Sequence, residues 1–242
     1  MSPRPSAFRP VRAQPAPSGT DWSCVPTAPF RALLARLLEL LSPASCAACA
    51  GPRAGAPPFC LTCGTPPLAI PDTLGAVPLI VAGPYAPPLA PAIRRLKFEG
   101  HAELARPLAR LLEPRLNALG IGPNASFVPV PLHRARLVER GFNQSALLAS
   151  ALAHGTGGHF AARALERSRR TDQQARLGRS ERRANVHDAF IARPAAVPRR
   201  VVLVDDVVTT GATALACLKT LEEAGAEALA VVALARADPG GW

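Results

Sequence analysis

The sequence predicts an α/β fold, a parallel sheet flanked by helices with a small cysteine-rich unit in front of it. Three observations carry that reading. Val201 to Val204 is a run of four aliphatic residues, the pattern of a strand buried on both faces of a parallel sheet. From Val77 onward, strand-like and helix-like stretches alternate as parallel crossovers require. Four cysteines in two CxxC pairs, Cys46, Cys49, Cys60 and Cys63, stand ahead of all of them.

Composition sets the frame. With 242 residues, 48% of them hydrophobic, the chain can bury one substantial core and a small appendage. The division expected is a tail over 1–29, a short helix plus cysteine ribbon over 30–70, and the α/β domain over 71–242. The tail is proline-rich and without hydrophobic periodicity, the composition of a disordered segment. A transit peptide fits it less well, because no amphipathic helix is visible there. Phe30 to Leu41, FRALLARLLELL, is amphipathic, and twelve residues with three charges cannot span a bilayer. No signal-peptide cleavage pattern follows. The chain is therefore expected to be cytoplasmic, with no integral membrane segment.

The net charge is +11, and between Arg163 and Arg200 eleven arginines face only four acidic residues. That local excess suits polyanions such as pyrophosphate or a nucleic-acid backbone. A stacking platform for single strands is not visible, since the chain has one tyrosine and this arginine segment has no aromatic ladder.

The cysteines form C-x2-C-x10-C-x2-C, a spacing that can place four thiolates around one Zn2+. Gly51, Gly55, Gly64 and Pro52, Pro57, Pro58 surround them. So few core formers give little hydrophobic burial, and metal binding must supply much of the folding free energy. Disulfides do not suit a chain without a secretion signal, and neither CxxC has the βαβ context of a redox pair. Four protein ligands leave no open position, so the metal is structural. Cys24 and Cys217 read as incidental.

Along the domain, Val77 to Ala82 is expected as a strand. Ile93, Leu96 and Phe98 precede a helix from about Ala102 to Leu119. Phe127 to Pro131 is a short strand and Gln144 to Ala153 a helix. Between these last two, His133, Arg134, Arg136, Arg140 and Gly141 make a basic loop at the carboxyl end of a strand, where ligands bind in open α/β sheets. It is either a pyrophosphate loop or a solvated charged turn.

Residues 201 to 213, VVLVDDVVTTGAT, are the most specific stretch. A buried strand ends in two carboxylates, Asp205 and Asp206, and a tight hydroxyl-rich loop then opens onto a helix. That helix carries Leu215, Leu218 and Leu221 on its apolar side and ends at Gly225. Such an order suits a phosphorylated sugar: loop N–H groups and the helix N-terminus hold a phosphate, Gly211 permits close backbone approach, and the aspartates accept from sugar hydroxyls. A Walker loop is excluded, because no lysine lies between Lys97 and Lys219.

This run resembles the phosphoribosyl-pyrophosphate (PRPP) signature of type I phosphoribosyltransferases. With VPVPLHRARLVERGFNQ, RRTDQQARLGRSERRANVHDAF, RRLKFEGH and the cysteine ribbon in the same order, residues 44–236 look like the ComF family of competence-associated, phosphoribosyltransferase-like proteins. The resemblance implies a type I phosphoribosyltransferase core behind a zinc ribbon, PRPP with Mg2+ as ligand, and a part in DNA uptake during natural transformation. Carried over by position, Arg140, Gly141, Asn143 and Gln144 fall in the pyrophosphate loop. Asp205, Asp206, Val208, Thr209, Thr210, Gly211, Ala212 and Thr213 fall in the ribose-phosphate loop. Lys97 joins Arg140 as a candidate for the leaving pyrophosphate, and Arg140, Asp205 and Asp206 are the candidate catalytic residues. Arg170, Thr171, Gln174, Arg182 and Asn185 belong to a block that is either a mobile lid or an arginine-rich solvated helix. No nucleobase pocket follows the phosphate loop, so the acceptor is unreadable. An enzyme, a PRPP-responsive accessory protein of DNA uptake, and a nucleic-acid binder with a structural core all remain open.

Overall fold

The structure is a computed structural model, and it describes residues 45–53, 57–67, 71–167 and 189–237. The expected tail, the Phe30 to Leu41 helix, Cys24 and the block from Arg170 to Asn185 lie outside these residues. All the described residues belong to one compact unit, Ala44–Trp242.

The main sheet has strands β1 (Asp72–Leu74), β2 (Val77–Pro84), β3 (Ser126–Pro129), β4 (His159–Phe160), β7 (Arg200–Val204), β8 (Val207–Val208) and β9 (Glu227–Arg236). Its order is β1-β2-β9-β7-β3-β4, with β8 also on β9. Only β1 runs antiparallel to its neighbour; every other pairing is parallel. A separate antiparallel ribbon joins β5 (Leu165–Arg167) to β6 (Phe190–Ala192).

Alternation along the central strands divides the core in two. Phe127, Val202, Val204, Val232 and Leu234 enter one cluster, while Val128, Val201, Leu203, Val231 and Ala233 enter the other. Both faces are thus covered, which is why β7 and β9 read as continuous apolar runs. The first face carries helices α1 (Leu89–Phe98), α2 (Ala105–Ala109), α3 (Glu113–Ala118) and α5 (Gln144–Thr156); the second carries α6 (Ala212–Glu223). The cysteine ribbon joins the first, since Cys46, Ala47 and Phe59 are buried in the same cluster as Leu89, Ile93 and Leu96.

Connection order makes the site. From β3 the chain crosses through α5 to β4 on one side; from β7 it crosses through α6 to β9 on the other. Crossovers that leave adjacent strands in opposite directions put their helices on opposite faces and open a crevice at the carboxyl ends. That switch point lies between β3 and β7.

Three expectations need correction. Leu89 to Phe98 is a helix and not a lead-in: Pro91 falls in the first turn, where a missing N–H costs nothing. The helix expected from Ala102 to Leu119 is instead a 3-10 turn (Ala102–Leu104) followed by two short helices, with Pro114 opening the second. The basic loop is a helix, α4 (Arg134–Arg140). His133 Nδ1 caps it by accepting from Ala135 N at 3.2 Å, and Gly141 closes it at φ 76°.

Candidate functional site

β7 delivers Asp205 and Asp206 to the switch point, and β9 backs both. Asp205 N donates to Val232 O at 2.9 Å, and Asp206 O accepts from Leu234 N at 3.0 Å and Ala235 N at 3.3 Å. Asp206 is buried; its Oδ1 is 2.8 Å from Nζ of Lys97, the penultimate residue of α1. Its Oδ2 is buried and has no hydrogen-bond partner among the described residues. Asp205 Oδ1 accepts from Ser145 Oγ at 3.0 Å and from Asp206 N at 2.9 Å. Burial first, and the charge of Asp206 second, push the Asp205 carboxyl up to about 7. The Asp206 N–H, the Ser145 hydroxyl and Lys97 pull the other way.

After two residues of β8, Thr209 and Thr210 are exposed, and Gly211 turns at φ 78° into α6. Asp205 and residues 207–214 line a concavity of about 50 Å3. The first N–H groups of a twelve-residue helix border it, a geometry suited to an anion. Thr210 Oγ1 accepts from Ala212 N at 3.4 Å and tightens the turn. Two residues behave differently from their sequence reading. Gly211 has the positive φ that favours glycine, and a Cβ there would lie 2.1 Å from Leu74 Cδ1, so a larger residue would also have to displace the end of that side chain. The Val208 side chain is buried in the second core cluster, so only its backbone can face a ligand.

On the other side of the crevice, Arg140 ends α4 with its guanidinium 4.7 Å from the ring centre of Phe98, next to Lys97. Arg140 Nε is buried without a hydrogen-bond partner among the described residues. Asn143 caps α5, accepting from Ser145 N and Ala146 N, while its Nδ2 donates to Val130 O at 3.0 Å. The cap therefore ties the start of α5 to the end of β3 and sets Ser145 against Asp205. Sequence reasoning passed over Ser145, whose signal was its place directly after the family block residues Asn143 and Gln144. It also placed Arg134 and Arg140 in one loop. They occupy opposite ends of α4, and Arg134 lines a different cavity.

The four cysteines converge as their spacing predicts. Cys46, Cys49, Cys60 and Cys63 have Sγ atoms within 4.8 Å of one another, and Cys49 and Cys60 are 3.8 Å apart. A tetrahedral zinc with Zn–S of about 2.3 Å needs sulfurs about 3.8 Å apart. The set could hold a zinc ion. Burial works to raise Cys46, but the N–H groups of Cys49, Cys60 and Ala48 prevail and hold its thiol at about 6. Cys63 is pushed up to about 12, first through its hydrogen bond with Cys49. Four sulfurs this close cannot all ionise without a cation among them. Cys217, by contrast, is buried under α6, and burial pushes its thiol up.

Arg95, buried on α1, joins this cluster to the domain. Its Nη1 donates to Cys46 O at 2.9 Å and Ala47 O at 3.0 Å, and its Nε lies 3.5 Å from Glu99. Nothing in the sequence separated Arg95 from its neighbour Arg94.

Fold and site together define a parallel α/β protein with an acidic pair and a hydroxyl loop at its switch point, joined to a four-cysteine ribbon. No protein-family model matches the chain. It is 37% identical over 162 residues to the DNA utilization protein YhgH of Escherichia coli (strain K12), covering 65% of this chain and 71% of the relative. Competence protein F of Haemophilus influenzae is 36% identical over 168 residues, 66% of this chain and 72% of the relative. Competence protein ComFC of Streptococcus pneumoniae is 32% identical over 142 residues, 59% and 60% of the two chains. The chain belongs to the ComF family of competence-associated proteins.

Proposed function

We propose that the protein is a PRPP-binding member of the type I phosphoribosyltransferase-like group that supports DNA uptake or the use of incoming DNA. The observation that carries PRPP binding is the acidic pair at the β3–β7 switch point, held by Lys97 and Ser145, beside the loop that opens α6. The names of the relatives from Escherichia coli and Haemophilus influenzae support the biological part. Among the described residues no helix is long and apolar enough to cross a membrane. The reading places the protein in the cytoplasm, with single-stranded DNA or the uptake machinery as partners and Zn2+ as a structural ion.

In this reading Thr209, Thr210, Thr213 and the first N–H groups of α6 hold the 5′-phosphate. Asp205, which lines the loop concavity, accepts from the ribose hydroxyls, while Asp206 is buried and holds Lys97. Mg2+ bound with PRPP would supply positive charge to the pyrophosphate, keeping most of its water ligands. If transfer follows, an acceptor lone pair forms the bond to ribose C1 while the C1–O bond breaks and its electrons leave on pyrophosphate. Lys97 and Arg140 stabilise that growing negative charge, and preorganised donors of this kind carry the larger share of such catalysis. Without transfer, the same contacts make a PRPP-responsive accessory protein. Pyrophosphate release from PRPP and Mg2+ with a panel of bases separates the two.

Binding itself is tested by heat. A ligand that binds only the native state stabilises it by roughly 2.7 kcal/mol at a hundred times its Kd. PRPP with Mg2+ should raise the Tm, and ribose 5-phosphate should do so less because it cannot engage Arg140. Asp205→Ala with Asp206→Ala should abolish the PRPP shift in a chain that still folds. If that variant kept the full shift, the site assignment would be wrong.

A further inference from the structure

A larger cavity, about 370 Å3, lies outside the acidic crevice, between α4, the first turn of α5 and the β5–β6 ribbon. Its size falls within the roughly 300–1,000 Å3 of small-ligand sites. Its lining is strongly polarised. Arg134, Arg163, Arg167 and Arg193 face a single carboxylate, Glu166, which is ion-paired with Arg193. Three positive charges are left over around one concavity, an arrangement that repels itself until an anion enters. Pro129, Pro131, Leu132, Leu137 and Leu165 supply an apolar wall, to which His133 and Asn143 add polar side chains. Several arginines together with aliphatic surface in one concavity match a ligand with a charged phosphate and a planar body.

The cavity adjoins the acidic crevice and contains none of Lys97, Arg140, Asp205 or Asp206, although Asn143 of the expected pyrophosphate loop lines it. Asn143 and Ala146 line it, while Ser145 between them holds Asp205. The ribbon on its far wall leads into the segment between Arg167 and Phe190, part of which lies outside the described residues.

We propose that this cavity binds a nucleoside phosphate, with the arginines on its phosphate and the base against the leucine and proline wall. The ligand is either a free nucleotide or the phosphorylated end of a strand. The probe is 2′-deoxyadenosine 5′-monophosphate, titrated calorimetrically into the full chain at low salt. It should bind, and deoxyadenosine and inorganic phosphate should each bind about tenfold more weakly or worse. Arg163→Ala with Arg193→Ala should cost about tenfold in affinity and leave the unliganded Tm unchanged, since both side chains are exposed and an exposed ion pair contributes little. Glu166→Gln removes the one opposing charge and should tighten binding. A 5′-phosphorylated oligonucleotide that displaces the nucleotide better than its 5′-hydroxyl counterpart identifies a strand end as the source; one that fails to displace it identifies the free nucleotide, and either result keeps the cavity assignment. No binding of the nucleotide overturns the proposal. So does inorganic phosphate binding equally well, or undiminished affinity in the double-arginine variant. None of these measurements uses PRPP, and Asp205→Ala with Asp206→Ala should bind the nucleotide as the native chain does, so the two readings fail separately.

Discussion

Asp205 and Asp206 are neighbours in sequence and differ in chemistry because their partners differ. Lys97 takes Asp206, whereas Asp205 is hydrogen-bonded by a hydroxyl and one N–H, lies beside a like charge and feels Lys97 only through its field. A carboxyl held up at about 7 keeps its proton in the native state over a range where the unfolded chain, with a pKa of about 3.9, has already lost it. The stability tied to this group is therefore fully present below about pH 4 and falls as pH rises toward about 7. Asp205→Asn cannot ionise and still accepts from Ser145. It should match the native chain in urea unfolding at pH 4 and exceed it at pH 8, by roughly 1 kcal/mol or more. Equal effects at both pH values would show that the Asp205 carboxyl is not held up. Thr210→Val, which removes a hydroxyl at nearly constant volume, should leave this pH dependence intact and weaken only the PRPP shift.

At the scale of elements, α1 does the most. Ten residues connect the cysteine ribbon through Arg95, the acidic pair through Lys97 and the α4 terminus through Phe98. Purified, reduced protein should hold about one zinc through Cys46, Cys49, Cys60 and Cys63. Zinc well below one equivalent would overturn the ribbon assignment. Arg95→Met keeps the bulk of the side chain and removes its donors to two ribbon carbonyls. Hydrogen bonds from charged groups are worth about 1.5–3 kcal/mol each. The variant should release zinc to a chelator faster than the native chain while the α/β body stays folded. Unchanged release kinetics would show that Arg95 is not what fastens the ribbon. The importance of α1 was hard to read in the sequence, because prolines at 87, 88 and 91 suggest irregular chain and the helix tolerates them only at its entrance. The same difficulty hid α4, whose seven residues present no buried side chain and hence no apolar stripe to detect.

For the whole molecule, the sheet order converts separate segments into one crevice and leaves the arginines on its outer side. Arg134, Arg163 and Arg193 are exposed beside the nucleotide cavity, and Arg136 is exposed on α4. Single-stranded DNA should bind this surface weakly, with little sequence preference, and lose affinity steeply with salt, at a log–log slope of about −0.7 per phosphate neutralised. Titrations at several salt concentrations measure that slope. Salt-independent or strongly sequence-specific binding would contradict a backbone-charge mechanism.

Local pattern determined a good part of this protein. The continuous apolar run at β7, the acidic pair and hydroxyl loop after it, and the spacing of the four cysteines are each complete within a few residues, and each appears in the structure where the pattern puts it. Those features depend on short-range geometry, which composition and spacing encode directly. Only the tertiary structure decided that Lys97 would neutralise Asp206, that Ser145 would hold Asp205, and that Leu74 would pack against Gly211. It likewise separated Arg134 from Arg140 and set Arg134 beside Arg163 and Arg193. Such pairings join positions tens of residues or more apart; the side-by-side placement of β3 and β7, with their crossovers on opposite faces, is what sets Ser145 against Asp205.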